Sequence, residues 1–226
     1  MKYLTPIIVY LSPLLLGLII PFLVLYSHHS HNSAKKLIQI LLVRITLPVI
    51  IITIIIGVLN NIIPHTIFSL TTINFIYLAV FLWGWALMTA GFCYLFITLG
   101  LDKNLIYVII SILMILANTT VFYINPFINA VQSDIVLRQW LIKVAVHINP
   151  MLTIASNFFK HDILRSNSMY SICDIGPYYF YGYANWIKVL LYYVLIGFLA
   201  LGLSVIINSR ILRRITFNNK NHNEKN

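Results

Sequence analysis

Five long apolar stretches constrain this chain more than any other feature. They cover residues 4–26, 45–63, 74–99, 105–128 and 186–208. A helix needs about 20 mostly apolar residues to cross a bilayer, and a helix satisfies its own backbone hydrogen bonds in lipid. The stretches therefore predict an all-α fold, a polytopic membrane helix bundle of five transmembrane helices with additional interfacial or re-entrant helices.

The composition excludes a water-soluble core. Hydrophobic residues make up 60% of the chain and charged residues only 9%, whereas soluble domains carry roughly 25% charged residues. We expect a single transmembrane domain over residues 1–208 in contact with the lipid bilayer, followed by a polar, basic tail over residues 209–226.

The segments between the spans carry their own signals. Only GLDKN, residues 100–104, separates the third and fourth spans, which predicts a tight antiparallel hairpin. The long segment 129–185 contains VLRQWLIKVAVHI, whose apolar residues recur at helical spacing beside Arg138 and Lys143. This pattern predicts an amphipathic helix at the membrane interface. Asn149 and Pro150 are the residue types of a helix cap and a first helical position, so a second short helix is expected to follow.

The chain has a net charge of +10, and the distribution of its cations among the loops gives the orientation. On a soluble protein it would suggest nucleic acid, but here the cations sit at the ends of apolar stretches, so we expect no nucleic-acid partner. With five spans, one side receives Lys35, Lys36, Arg44, Lys103, Arg210, Arg213, Arg214, Lys220 and Lys225. Positive loops stay in the cytoplasm, so the amino terminus and segment 129–185 face outward and the carboxy terminus is cytoplasmic. The abundance of Ile, Asn and Lys is typical of an AT-rich bacterial genome, which indicates the bacterial inner (plasma) membrane.

Candidate metal and charge sites are few. His28, His29 and His31 lie in one joint, but no carboxylate or cysteine lies near them, so we expect a solvated loop rather than a metal site. Arg44 is either a functional charge within the membrane or a marker of the cytoplasmic surface. We favour the second interpretation, in which the helix begins at Ile45.

Enzymatic motifs are missing from the sequence. His161 and Asp162 are adjacent, with Ser156 and Ser166 nearby, but adjacency does not form a catalytic site. We therefore assign no catalytic residue and no cofactor.

No phosphate-binding loop occurs, and the spans hold almost no ionisable group to couple transport to an ion. If the chain transports a substrate against its concentration gradient, we expect the energy to come from another subunit.

The segment from Asn74 to Asn208 resembles the carboxy-terminal half of ABC-2-type transporter permeases. AGFCYLFITLGLDKNLIYVIISILMIL looks like their fourth and fifth spans joined by a short charged turn. VLRQWLIKVAVHINP, ending in Asn149 and Pro150, is similar to the family's outward stretch before a short re-entrant or interfacial helix. An apolar span followed by SRILRR completes the likeness. Because family permeases usually have six spans, residues 4–26 correspond to their second span, and the first is expected to be lacking.

The resemblance implies a dimeric pore, homo- or heterodimeric, driven by separate ABC ATP-binding subunits. Residues at the implied ATPase-docking positions are Lys35, Lys36, Leu37, Asp102, Lys103 and Asn104. The resemblance also implies that Asn149 and Pro150 form part of the external gate. For Asp102 and Lys103, a role in ending one helix and starting the next stays equally open.

We expect export of a hydrophobic or amphipathic substrate, or of a polymer, because the apolar spans offer no charged binding site and so favour lipid-like cargo over an ion. Two other functions stay open: a membrane scaffold or assembly subunit without a transport path, and a membrane enzyme that acts on lipid through segment 129–185.

Overall fold

The computed structural model describes residues 4–26, 34–62, 72–131, 133–159, 164 and 183–223. Every regular element in these ranges is a helix, so the predicted all-α fold is confirmed. The helices are α1 (Leu4–Tyr26), α2 (Ala34–Ile62), α3 (Thr72–Thr98), α4 (Lys103–Tyr123), α5 (Asn125–Ala130), α6 (Ile135–Ile148), α7 (Pro150–Phe158) and α8 (Trp186–Asn223).

Five of these helices, α1, α2, α3, α4 and α8, are long and apolar enough to cross a membrane. Their apolar windows are Val9–Tyr26, Leu42–Leu59, Ile73–Thr98, Lys103–Tyr123 and Trp186–Asn208. The chain is therefore a polytopic helix bundle of the kind that the sequence predicts.

Three helix boundaries differ from the sequence prediction. Helix α2 begins at Ala34, so the interpretation that it starts at Ile45 is wrong and Arg44 lies inside the helix. Helix α4 ends at Tyr123, and the expected continuation to residue 128 is the separate helix α5. Pro126 explains the break, because proline lacks an N–H and its ring clashes with the carbonyl one turn earlier. Helix α8 continues through most of the expected tail as far as Asn223.

Helix α3 is the centre of the bundle and contacts α1, α2, α4 and α8. It packs most closely on α8, where Gly91 faces Gly197 and the two backbones nearly touch. Small residues are what permit such an approach between membrane helices. Beside this contact, the ring of Trp85 lies edge-on against Tyr193, with ring centroids 5.0 Å apart.

Helices α1 and α4 run antiparallel with a fixed register. The Tyr26 hydroxyl donates a hydrogen bond to Asn104 Oδ1 at 2.7 Å, and Gly17 packs against the Met114 side chain halfway along the helices.

We call the end of the bundle where α3 ends and α4 begins the lower end. The end where α4 ends and α8 begins is the upper end. Helices α5, α6 and α7 lie in the chain between the upper ends of α4 and α8.

Candidate functional site: the elbow between α6 and α7

The elbow, residues 148–150, joins α6 to α7 at the upper end of the bundle. Asn149 caps α7 as predicted, because its Oδ1 accepts a hydrogen bond from the Leu152 N–H at 3.0 Å. Pro150 occupies the first helical position, where its missing N–H costs nothing. The predicted second short helix and its cap are therefore confirmed.

The same asparagine ties the elbow to α4. Asn149 Nδ2 donates to the carbonyl oxygen of Asn118 at 2.8 Å and to Thr120 Oγ1 at 3.2 Å. The Thr120 hydroxyl lies 3.1 Å from the Ala145 carbonyl, to which it donates in turn. Asn149 is 1% exposed, and hydrogen bonds in such a low-dielectric interior are electrostatically stronger than in water. One buried side chain thus caps α7 and holds the elbow against α4.

A third contact places the elbow below the upper ends of the spans. The Tyr193 hydroxyl donates to the Ile148 carbonyl at 3.1 Å. Tyr193 lies seven residues into α8 and Asn118 five residues before the end of α4. At 1.5 Å per residue these positions are roughly 10 Å and 7 Å below the helix ends. The elbow therefore bonds to α4 and to α8 below their upper ends.

The far end of α7 is fixed to α8. Asn157 Oδ1 accepts from the Trp186 N–H at 3.3 Å, and Asn157 Nδ2 donates to the Ala184 carbonyl at 2.9 Å. The Phe158 ring also packs against Phe81 of α3 and Trp186. Two asparagines, one at each end of α7, thus couple this short helix to α4 and to α8.

The charged residues near α7 belong to α6, which carries Arg138 and Lys143, and to α8, whose first turn carries Lys188. Helices α1 and α7 contain no acidic or basic residue, and the one charged residue of α4, Lys103, lies at the lower end. The site offers hydroxyl and amide groups in an apolar wall. The chain matches no known protein family, no curated protein and no solved structure. Its function is therefore inferred from these groups and their positions.

The residues predicted to dock an ATPase lie at the opposite, lower end. Asp102 caps α4, since its Oδ2 accepts from the N–H groups of Asn104 and Leu105 at 2.8 and 3.4 Å. Lys103 and Asn104 are exposed in the first turn of α4. Lys35, Lys36 and Leu37 belong to the first turn of α2, but their side chains lie outside the described residues. Capping by Asp102 is thus established, and docking stays a prediction.

The structure describes only some of the other candidate residues from the sequence. Arg44 is half-buried in α2 and donates a side-chain hydrogen bond to Tyr94 of α3. This contact joins the two helices near the end of α3. Ser156 is half-buried, and its hydroxyl bonds to the Thr153 carbonyl of its own helix at 3.3 Å. His28, His29, His31, His161, Asp162 and Ser166 lie outside the described residues.

Sequence reasoning missed the partners of the elbow. Asn118 and Thr120 belong to the polar triplet Asn-Thr-Thr, residues 118–120, inside an otherwise apolar span. That triplet is a signal, because polar groups within membrane helices form interhelical hydrogen bonds. Tyr193 carries no comparable signal, since it lies in an apolar span among other aromatic residues.

Proposed function

We propose that the chain is the membrane-spanning permease subunit of an ATP-driven exporter of the ABC-2 type. In this proposal it lies in the bacterial inner membrane with its lower end in the cytoplasm. ATP is hydrolysed by a separate subunit that docks at the lower end, and two permease chains form the pore. The cargo is hydrophobic or amphipathic.

The elbow is the observation that carries the proposal. The elbow is bonded to α4 through Asn149 and to α8 through Tyr193, and this double attachment supports the assignment of an external gate. Because the elbow is bonded to both helices by hydrogen bonds that are long-range in sequence, a change in the spacing of α4 and α8 acts directly on it.

The charge distribution supports the same assignment. The chain lacks a phosphate-binding loop, and α1, α3 and α7 contain no acidic or basic residue. Neither ATP hydrolysis nor ion coupling is therefore expected from the chain itself. The exposed residues Asp102, Lys103 and Asn104 offer a polar docking surface between α3 and α4 at the lower end.

Affinity purification of the full chain in mild detergent tests the proposal. We expect an ATP-binding protein to co-purify and to hydrolyse ATP in the complex. Recovery of the intact chain without any nucleotide-binding protein, in several mild detergents and after cross-linking in membranes, would contradict the proposal. That result would favour the scaffold function.

Charge reversal at the lower end tests the docking positions. We expect Lys36→Glu and Lys103→Glu to lose the ATPase, because each replaces a cation with an anion at the proposed contact. Lys103→Glu separates docking from folding, since an acidic residue in the first turn of α4 is favourable for the helix dipole. Lys188→Glu, an exposed lysine at the upper end, is the matched control and should retain the ATPase. Equal retention by all three variants would remove both lysines from the docking surface.

A further inference from the structure

Arg44 of α2 places a positive charge among helices that carry no acidic residue. Helix α2 packs against α1 and α3, and the sequences of both helices lack charged residues altogether. Asp102 is the first acidic residue of the chain, and its carboxylate caps α4. A charged side chain within a membrane helix is costly, and it is retained where it is paired or has a function. An anion from outside the chain is therefore the partner that Arg44 calls for.

The contacts between α2 and α3 show in which direction the Arg44 side chain extends. Arg44 and Thr46 are two residues apart on α2, but they contact Tyr94 and Trp83, which are eleven residues apart on α3. These separations correspond to about 3 Å and roughly 16 Å along the two helices. The long side chains bridge the difference, so the Arg44 guanidinium extends along α2 towards the lower end of the bundle.

Tyr94 holds the guanidinium at the depth where lipid headgroups begin. Helix α3 has 27 residues and is therefore about 40 Å long, whereas the hydrocarbon core of a bilayer is about 30 Å thick. About 5 Å of α3 thus lies outside the core at each end. Tyr94 lies four residues before Thr98, the last residue of α3, which is roughly 6 Å from the lower end. This level is the boundary between hydrocarbon and headgroups.

The hydrogen bond to Tyr94 fixes the guanidinium and uses only part of its donor capacity. Tyr94 is 3% exposed, and its hydroxyl oxygen accepts the bond from Arg44. A guanidinium has five N–H donors in a planar fork, and this fork matches two oxygens of a phosphate. Tyr94 is therefore a positioning residue for the fork.

The side of α2 that carries Arg44 also faces the surrounding bilayer. Arg44 is half-buried, and Leu47 and Ile51, one and two turns further along the same side of α2, are 56% and 48% exposed. A lipid headgroup therefore reaches Arg44 from the bilayer itself, with its acyl chains along the apolar surface of α2. Such a site requires no internal cavity.

We propose that Arg44, positioned by Tyr94, binds the phosphate of an anionic phospholipid in the leaflet at the lower end. The guanidinium donates two N–H bonds to two phosphate oxygens. Helix α2 also carries Lys35 and Lys36 in its first turn, and this additional positive charge favours a lipid with net negative charge over a zwitterionic lipid. The inference goes beyond the proposed function, and it holds whether or not the chain transports a substrate.

Native mass spectrometry of the full chain in detergent tests the site. The probes are phosphatidylglycerol, which is anionic, phosphatidylcholine, which has the same phosphate but no net charge, and diacylglycerol, which has no phosphate; all have the same acyl chains. We expect phosphatidylglycerol to bind about fivefold more tightly than phosphatidylcholine, and diacylglycerol to bind most weakly. Equal binding of phosphatidylglycerol and diacylglycerol would overturn the proposal. Displacement of phosphatidylglycerol by millimolar inorganic phosphate would also overturn it, because the ligand would then be the free anion.

Two charge-neutralising substitutions locate the binding group. Arg44→Gln should weaken binding of phosphatidylglycerol about tenfold or more, because hydrogen bonds to a charged group contribute that much. Lys188→Gln removes an exposed cation at the upper end and is the matched control, with unchanged affinity. Equal affinity of Arg44→Gln and the unaltered chain for phosphatidylglycerol would refute the site.

Two conservative substitutions separate binding from packing. Arg44→Lys keeps the cation, and with it the fold, but loses the planar fork; we expect affinity for phosphatidylglycerol to fall about fivefold, the value for one lost hydrogen bond. Unchanged affinity would contradict the contact with two phosphate oxygens. Tyr94→Phe removes the acceptor that positions Arg44 and should weaken binding of phosphatidylglycerol while leaving that of diacylglycerol unchanged. An equal loss for both lipids would show that Tyr94 supports packing alone and would contradict its positioning role.

Discussion

Replacement of Gly91 by alanine tests the packing on which the bundle rests. A Cβ atom at Gly91 would lie 2.7 Å from the Gly197 carbonyl oxygen and 3.2 Å from Gly197 Cα. Ordinary contact starts near 3.4 Å, so α3 and α8 must separate by about 0.7 Å. Both neighbouring atoms are backbone and cannot rotate away. Overpacking of this kind costs about 1–3 kcal/mol.

Gly202→Ala is the matched control for this prediction. Gly202 also lies within α8, but a Cβ there meets nothing within 4 Å. Both variants gain the same helix preference of alanine over glycine, about 0.5–1 kcal/mol. The difference between the two variants therefore isolates the packing cost, and we expect Gly91→Ala to be about 1–3 kcal/mol less stable than Gly202→Ala.

The measurement is reversible unfolding in mixed micelles with increasing SDS, followed by tryptophan fluorescence. Trp85 and Trp186 report on the packing of α8 against α3 and α7. Free energies of unfolding for the two variants that agree within about 0.5 kcal/mol would refute the reasoning. Gly84→Ala is an intermediate case. Its Cβ would overlap Leu190 Cδ1, the end of a flexible side chain, so we expect a smaller loss of stability.

Three further predictions concern side-chain hydrogen bonds at the helix ends. Asp102→Ala removes the cap of α4 and should cost about 0.5–2 kcal/mol in the same unfolding assay, while Asp102→Asn should retain most of the stability. Asn157→Ala should increase hydrogen exchange at the Trp186 amide about fivefold or more, with unchanged exchange at the middle of α3; equal protection at Trp186 would show that the bond from Asn157 is unimportant. Tyr26→Phe removes the exposed bond to Asn104 and should lower stability by less than about 1 kcal/mol, measured by SDS unfolding. A larger loss would mean that this bond, rather than the packing of Gly17 on Met114, holds α1 against α4.

Local patterns account for the features that were predicted correctly. The five spans follow from runs of apolar residues, because a helix in lipid must be apolar over its own length whatever its neighbours are. The cap of α7 follows in the same way, since Asn149 accepts from an amide only three residues away. The break after α4 was missed although Pro126 marks it, because hydropathy alone does not register a missing amide.

Hydropathy also misplaced the start of α2. Residues 34–44 contain Lys35, Lys36 and Arg44 among apolar residues, so the run of apolar residues begins later than the helix does. A helix that leaves the hydrocarbon region continues in water or at the interface for as long as its residues favour it. The end of a membrane-spanning stretch and the end of its helix can therefore lie at different residues. Composition indicates only the end of the spanning stretch.

The sequence by itself determined the number of spanning helices among the described residues and the position of the elbow in the chain. Only the tertiary structure decided how deep the elbow lies and which spans it joins. The bonds from Asn149 to Asn118 and from Tyr193 to Ile148 connect residues 31 and 45 positions apart. Such pairs are set by how the helices pack, and helices of similar apolar composition can pack in many ways. The partners of the elbow belong to this second class, so they were found only once the bundle was assembled.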